Sequence, residues 1–195
     1  TLNPDDAKKT HIVKKLAAMA NVFVNDAFGT AHRSQPTVVG LPLLLKSAAG
    51  QLMEKEITNL SKVFSGAPRP VCMVLGGTKV DDSIAVAENM LANGIADQVI
   101  VIGVVSNVFL ISNGYNIGNP STQLITQLKY EPEIKKAKAI LERYRDQIIM
   151  PEFVAVRQEN KRVEYTVQKI PQDAPVLDIG IDSIAAMKRE IKRAG

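Results

Sequence analysis

Two periods of apolar and polar positions succeed one another along this chain. Ile12, Leu16 and Met19 recur at helical spacing, with Val13 and Ala20 widening the stripe. Asn3-Pro4-Asp5-Asp6 predicts the helix start ahead of them, with Asn3 as cap and Pro4 at the first helical position. A short buried strand is expected over 22–25, running into a polar, glycine-containing loop over 26–33. Residues 50–64 place Met53, Ile57, Leu60 and Phe64 on one helical face, a stripe that predicts core packing. The breaker cluster Gly66-Ala67-Pro68-Arg69-Pro70 closes that helix.

From residue 71 the pattern becomes βαβα. An apolar strand over 71–75 ends in Gly76-Gly77, and a helix is expected from about Asp82, with Asp81, Asp82 and Ser83 as candidate caps and Asn93-Gly94 as its end. Residues 98–102 are a continuous β-branched run, the mark of a parallel strand buried on both faces. Gly103 closes it before an apolar helix over 104–112. Helices are predicted from 119 and over 133–145, then a strand at 148–150. Residues 153–156 and 163–167 pair as a hairpin around Gln158-Glu159-Asn160-Lys161. A strand over 176–180 and a helix striped by Ile184, Met187 and Ile191 complete the series. Together these predict a three-layer α/β/α unit over about 70–195, with parallel strands starting near Val71, Gln98 and Val176. Their glycine exits, Gly76-Gly77, Gly103 and Gly180, are expected along one edge.

Composition narrows the classes. Of 195 residues 46% are hydrophobic and none is Trp, so the core must be built from Val, Ile, Leu, Ala and Met. A net charge of +4, with no basic stripe interleaved with aromatics, suits an anionic ligand and not a nucleic-acid footprint. Cys72 is the single cysteine, which excludes an intramolecular disulfide, and His11 and His32 are too far apart in sequence to point to a metal site. No apolar run reaches the ~18 residues of a membrane span and no signal peptide is visible, so no membrane partner and a cytoplasmic location are expected. The chain opens on Thr1 and stops at Gly195 directly after a helix, as though cut from something longer.

The chemistry gathers at the corner after residue 75. Glycines leave backbone N–H groups uncovered, and a strand–Gly–helix corner at the carboxyl edge of a parallel sheet is where phosphate-bearing ligands sit. Lys79 adds one mobile positive charge there. Neither the Gly-x-x-x-x-Gly-Lys-Ser/Thr spacing nor Gly-x-Gly-x-x-Gly is present, and pattern alone favours an ordinary βα turn with an exposed lysine. Arg33, beside a strand end, has two readings as well: a surface ion pair, or a fork onto a carboxylate or phosphate. Gly103 is either a tight turn or a place where a flat nucleobase approaches the backbone.

Resemblance separates these readings. Leu75-Gly76-Gly77-Thr78-Lys79-Val80-Asp81-Asp82 resembles the Leu-Gly-Gly-Ala-Lys-Val-x-Asp signature of phosphoglycerate kinases. Upstream, Phe23-Val24-Asn25-Asp26-Ala27-Phe28-Gly29-Thr30-Ala31-His32-Arg33 is similar to that family's substrate-side segment. Ser83, Asn93-Gly94-Ile95-Ala96-Asp97 and Gly103-Val104-Val105-Ser106-Asn107-Val108-Phe109 resemble the archaeal branch. The resemblance implies phosphoryl transfer between 1,3-bisphosphoglycerate and ADP, giving 3-phosphoglycerate and ATP, with Mg²⁺ on the nucleotide. It implies Lys79 as the catalytic residue, Gly76, Gly77, Lys79 and Gly103 as nucleotide-binding, and Arg33 as the residue holding the phosphate of 3-phosphoglycerate.

The same resemblance implies a Rossmann-like lobe plus part of a second lobe. Residues 1–48 would be the remnant of a substrate-binding N-terminal lobe, 49–66 a connecting helix, and 67–195 an incomplete nucleotide-binding C-terminal lobe. The chain departs from the pattern at Ser83, where bacterial and eukaryotic members carry a second lysine, and at Ile102-Gly103-Val104, where three glycines are usual. Asp178-Ile179-Gly180 resembles a family Asp-x-Gly motif, with Asp178 expected to cap a helix or anchor a loop. The family's early Asp-Phe-Asn-Val-Pro run and its later Gly-Gly-Gly phosphate loop would lie outside the chain, so the fragment alone is expected to be inactive and, with Ile12, Leu16, Phe23 and Val24 short of neighbours, to self-associate. Two other classes stay open: a non-catalytic nucleotide-binding or assembly module, and a nicotinamide-dependent oxidoreductase, against which the absent dinucleotide fingerprint counts.

Overall fold

The computed structural model describes residues 3–195, so the first two residues of the expected 1–48 segment lie outside the described residues. The chain divides into two compact units, Thr1–Gly66 and Ala67–Gly195.

The first unit opens as its sequence predicts. Helix α1 (Pro4–Ala7) has Asn3 as cap, whose side-chain oxygen accepts from the Asp5 N–H at 2.9 Å. Helix α2 (His11–Ala17) turns Val13 into the small core with Ala7 and Leu41, while Ile12, Leu16 and Met19 remain exposed. Strand β1 (Val22–Asn25) pairs in parallel with β2 (Lys46–Ala49), a strand not anticipated from the pattern, in the register Val22↔Lys46 to Asn25↔Ala49. Helix α3 (Gln51–Phe64) follows directly. Its cap residue, Gly50, has no side chain to offer, and Asp26 substitutes from the exit of β1, its Oδ1 accepting from the Met53 N–H at 3.0 Å.

The stripe on α3 corrects the expectation of core packing. Met53 is buried, but Ile57, Leu60 and Phe64 are exposed. A two-stranded sheet with a few short turns is too small to cover a 14-residue amphipathic helix.

The second unit is built on the βαβα series. Strands β3 (Cys72–Leu75) and β4 (Gln98–Val101) run parallel, separated by helix α4 (Val80–Ala92). Helix α5 (Gly103–Ser112) leaves β4 at once and is mostly apolar, with Val105, Val108, Phe109 and Leu110 fully buried. Helices α6 (Asn119–Gln127) and α7 (Glu131–Tyr144) lead to β5 (Ile148–Ile149), which adds to β4 in parallel to give the order β3-β4-β5. Helices α4, α5 and α7 pack on one another.

A second, antiparallel sheet follows. Strands β6 (Phe153–Gln158) and β7 (Lys161–Thr166) form the predicted hairpin, closed by Glu159 and Asn160, both with positive φ (48° and 59°), as a two-residue turn with right-handed strand twist demands. Strand β8 (Val176–Ile179) corrects a second expectation. It is not a parallel neighbour of β3 and β4 but pairs antiparallel with the free side of β6, in the order β7-β6-β8. The third parallel place is taken by Ile148–Ile149, so the Gly180 exit belongs to another sheet from the Gly77 and Gly103 exits. Helix α8 (Ile181–Arg193) carries Met187 onto Ile100 and Ile179, with Cys72, Ile102 and Ile149 around them. Ile184 and Ile191, the other members of that stripe, stay exposed. Asp178 caps no helix; its Oδ1 accepts from the Ile179 N–H at 2.8 Å.

Buried polar groups join the pieces. Ser183 Oγ accepts from the Phe153 N–H at 2.8 Å and donates to the Phe153 carbonyl, pinning α8 to β6. Ser121 Oγ accepts from the Val176 N–H at 2.8 Å, fixing α6 to β8. Burial lifts the Cys72 thiol above its ordinary range, with Glu190 adding to the effect, so it is held as a small neutral side chain.

Two carboxylates hold backbone at strand and helix starts. Asp97 accepts from the Val71 N–H and from Arg69, each at 2.6 Å, and Glu164 accepts from the Ile181 N–H at 2.8 Å and from Arg162. The Val71 N–H and then Arg69 hold the Asp97 carboxyl below its ordinary 3.8, and the Ile181 N–H and Arg162 do the same for Glu164 below 4.5. A carboxylate whose folded value is depressed stabilises the fold fully above its unfolded value and loses that contribution as pH falls through the lower, folded one. The melting temperature should therefore drop on acidification below about pH 4, and Asp97→Asn should flatten part of that drop. A melting series from about pH 6 to pH 2.5 checks it; identical slopes for both proteins would remove Asp97 from the acid response.

Candidate functional site

The two glycine corners predicted from sequence meet. A Cβ placed on Gly103 would lie 3.3 Å from the Gly77 nitrogen, and both residues take positive φ, 56° and 92°. Gly76 is equally hemmed in, since a Cβ there would stand 2.5 Å from Ile102 Cγ1. Any side chain at Gly103 would push on the neighbouring turn, so the sequence uses glycine where two backbones approach. Among the described residues the N–H groups of Gly77 and Thr78 find no acceptor, which leaves them directed at whatever occupies the corner.

The helix at this corner starts earlier than expected. Helix α4 begins at Val80 with Lys79 as its cap residue. Asp81 and Asp82 are therefore not caps but lie in the first turn, where acidic side chains favour the positive helix end. Ser83 is no cap either; its Oγ donates to the Lys79 carbonyl at 3.0 Å. A lysine at a helix N-terminus opposes the macrodipole and offers the orphan N–H groups no acceptor. Lys79 is exposed and makes no ion pair among the described residues. Local stability is thus poorly served by this residue, and such breaches of local preference mark functional positions.

Arg33 lies in the first unit, just after a single 3₁₀ turn at Phe28–Thr30, with its N–H donating to the Thr30 carbonyl at 3.0 Å. Its guanidinium is exposed and forms none of the salt bridges among the described residues, which leaves it available to an anion. Gly76, Gly77, Lys79 and Gly103 are thus gathered at one edge of the second unit, while Arg33 belongs to the other unit.

Sequence reading missed two residues here. Tyr130, at the start of α7, donates its hydroxyl to the Thr78 carbonyl at 2.7 Å across 52 residues of chain, a pairing without a local signal. Asn107, one turn into α5, is buried with its Oδ1 lacking a partner among the described residues. A cavity of about 560 Å³ lies elsewhere, between β6 and α8, lined by Ile149, Phe153 and Met187. Glu152, Asp182 and Glu190 outnumber Arg189 on its wall, which disfavours an anionic ligand there. Among the described residues no cluster of His, Cys, Asp and Glu could hold a metal ion, and no helix is long and apolar enough to cross a membrane.

Two abutting glycine turns at the exits of parallel strands, with a lysine at the helix start, define an α/β protein with a phosphate-type corner. The family model for phosphoglycerate kinase matches residues 2–195, and the chain belongs to that family. It is 54% identical over 195 residues to a phosphoglycerate kinase of Methanocorpusculum labreanum, covering 100% of this chain and 48% of that protein. Against a phosphoglycerate kinase of Methanothermobacter thermautotrophicus it is 44% identical over 192 residues, 98% of this chain and 46% of that one. The crystal structure of the phosphoglycerate kinase from Pyrococcus horikoshii superposes with a TM-score of 0.91 at 34% identity, over 99% of this chain and 49% of that one. The chain spans about half the length of the curated relatives it matches. Membership sets aside the nicotinamide-dependent reading, and the resemblance to archaeal members holds.

Proposed function

We propose that this chain carries the nucleotide corner of a phosphoglycerate kinase, a phosphotransferase with a carboxyl-group acceptor. In the longer protein it would act between 1,3-bisphosphoglycerate and ADP, giving 3-phosphoglycerate and ATP in cytoplasmic glycolysis and gluconeogenesis. The observation that carries this reading is the abutting Gly77–Gly103 corner with Lys79 unpaired at its edge. Phosphoryl transfer asks little covalent chemistry of a protein and much positioning and positive charge. Gly76, Gly77 and Gly103 bring free N–H groups and open backbone to the nucleotide, and Lys79 neutralises the oxygens of the moving group. Arg33 holds the phosphate of the acid from the substrate-binding segment, with the α3 region linking that segment to the nucleotide lobe. Mg²⁺ neutralises phosphate charge when bound. Among the described residues no carboxylate cluster could hold the ion by itself, so it would arrive with the nucleotide; Asp81 and Asp82 are the carboxylates nearest in sequence to Lys79.

Turnover needs two anions in line with charge compensated from several sides, and Lys79 with Arg33 alone does not supply that. The 195-residue chain alone should therefore bind MgADP weakly and not turn over. Its uncovered side chains, Ile12, Leu16, Ile57, Leu60 and Phe64 among them, also support self-association when it is isolated. The test is a coupled assay with 3-phosphoglycerate and MgATP on two proteins: the chain alone, and a chimera in which it replaces the matching segment of the M. labreanum protein. An active chimera beside an inactive chain is expected. Turnover by the chain within about tenfold of the chimera would show that Lys79 with Arg33 suffices for transfer.

A further inference from the structure

The turn over 76–79 receives one side-chain hydrogen bond from outside its own helix among the described residues, and that bond comes from Tyr130. The residue is held where it is by an unusual corner. Helix α6 ends with the Lys129 N–H donating to the Thr126 carbonyl and the Tyr130 N–H to the Ile125 carbonyl, which forces Lys129 into the left-handed region at φ 59°. That conformation is uncommon for a residue with a Cβ. It lets α7 begin immediately, with Tyr130 as its cap residue. Helix α7 in turn packs against both α4 and α5, the two helices that start at the glycine corners, and buries Ala137, Ile140 and Leu141 among them. The phenol therefore stands on a rigid support that spans both corners.

We propose that Tyr130 is a positioning residue of the nucleotide corner: its hydroxyl, donated to the Thr78 carbonyl, fixes the 76–79 turn with its free N–H groups and Lys79 facing the phosphates. This rests on the nucleotide reading given above. Glycines make the turn permissive, and a permissive turn would spend part of its time with its donors misdirected. One neutral hydrogen bond of ordinary net strength biases such an equilibrium by about fivefold.

The test compares the 195-residue chain with Tyr130→Phe, which keeps the ring and removes only the donor. Tyr144→Phe at the far end of α7 serves as control. Backbone ¹⁵N order parameters of Thr78 and Lys79 are measured together with MgADP affinity by titration calorimetry. Wild type and Tyr144→Phe should show order parameters near 0.85, and Tyr130→Phe should fall to about 0.6. Its dissociation constant for MgADP should rise about fivefold with an unchanged melting temperature. A turn as ordered in Tyr130→Phe as in wild type would overturn the proposal, and so would a loosened turn with unchanged affinity. No binding by the wild-type chain would instead count against the nucleotide reading, and the order parameters alone would then decide whether Tyr130 fixes the turn.

Discussion

Lys79→Met in the active chimera is expected to lower kcat by on the order of 10²-fold or more while the KM for MgADP changes by less than about threefold. The asymmetry follows from where the charge acts. On the proposed reading, the ground-state nucleotide phosphates would already be met by Mg²⁺ and by the free backbone N–H groups of the corner. During transfer, charge spreads over the equatorial oxygens of the moving group, and a cation at the N-terminus of α4 then gains most. Steady-state kinetics with both substrates varied distinguishes the outcomes. A large rise in KM with near-normal kcat would make Lys79 a ground-state binding residue. Arg33→Ala in the same chimera should instead raise the KM for 3-phosphoglycerate and leave that for nucleotide unchanged.

Gly118→Ala is expected to be the most destabilising of the small-to-small changes in the second unit, by about 3 kcal/mol, through two mechanisms acting together. Gly118 has φ 79°, a conformation that costs an alanine on the order of 1 kcal/mol. A Cβ there would also run into the Ala174 carbonyl oxygen and lie 3.1 Å from that of Pro171. These are backbone atoms and cannot swing aside as a side chain would. The neighbouring Asn119 N–H donates to the Gln172 carbonyl at 2.7 Å, so relieving the clash also strains this bond. Thermal unfolding should show a melting temperature lower by roughly 10 °C. A shift under about 2 °C would mean that the 171–174 loop yields freely.

The features legible in sequence are those written locally. Gly76-Gly77 and Gly103 stand where chain turns had to be tight, and the hairpin turn at Glu159-Asn160 was bracketed by the two strand-forming runs at 153–156 and 163–167. The α4 start was misplaced by two residues because Asp81, Asp82 and Ser83 all favour caps, whereas the structure places a lysine there against that preference. Pairing was harder to read. The run at 176–179 has the composition of a buried strand whichever sheet it joins, and its register with β6 depends on residues 20 or more positions away. Helical periodicity says which residues share a face, not whether anything covers it, so Ile57, Leu60 and Phe64 read as core and are exposed, and Ile184 and Ile191 on the α8 stripe are exposed as well. Tyr130 could not have been found from sequence, because nothing near it points to a carbonyl 52 residues earlier.

The nucleotide corner is tested most directly by mapping amide chemical shifts of the ¹⁵N-labelled chain while MgADP is added. The largest changes should fall on Gly77, Thr78, Lys79 and Gly103, with Tyr130 and the first turn of α5 following, and Arg33 should not move. Unmoved corner residues at millimolar nucleotide, or changes centred instead on Ile149, Phe153 and Met187 around the β6–α8 cavity, would contradict the assignment of the nucleotide to the glycine corner.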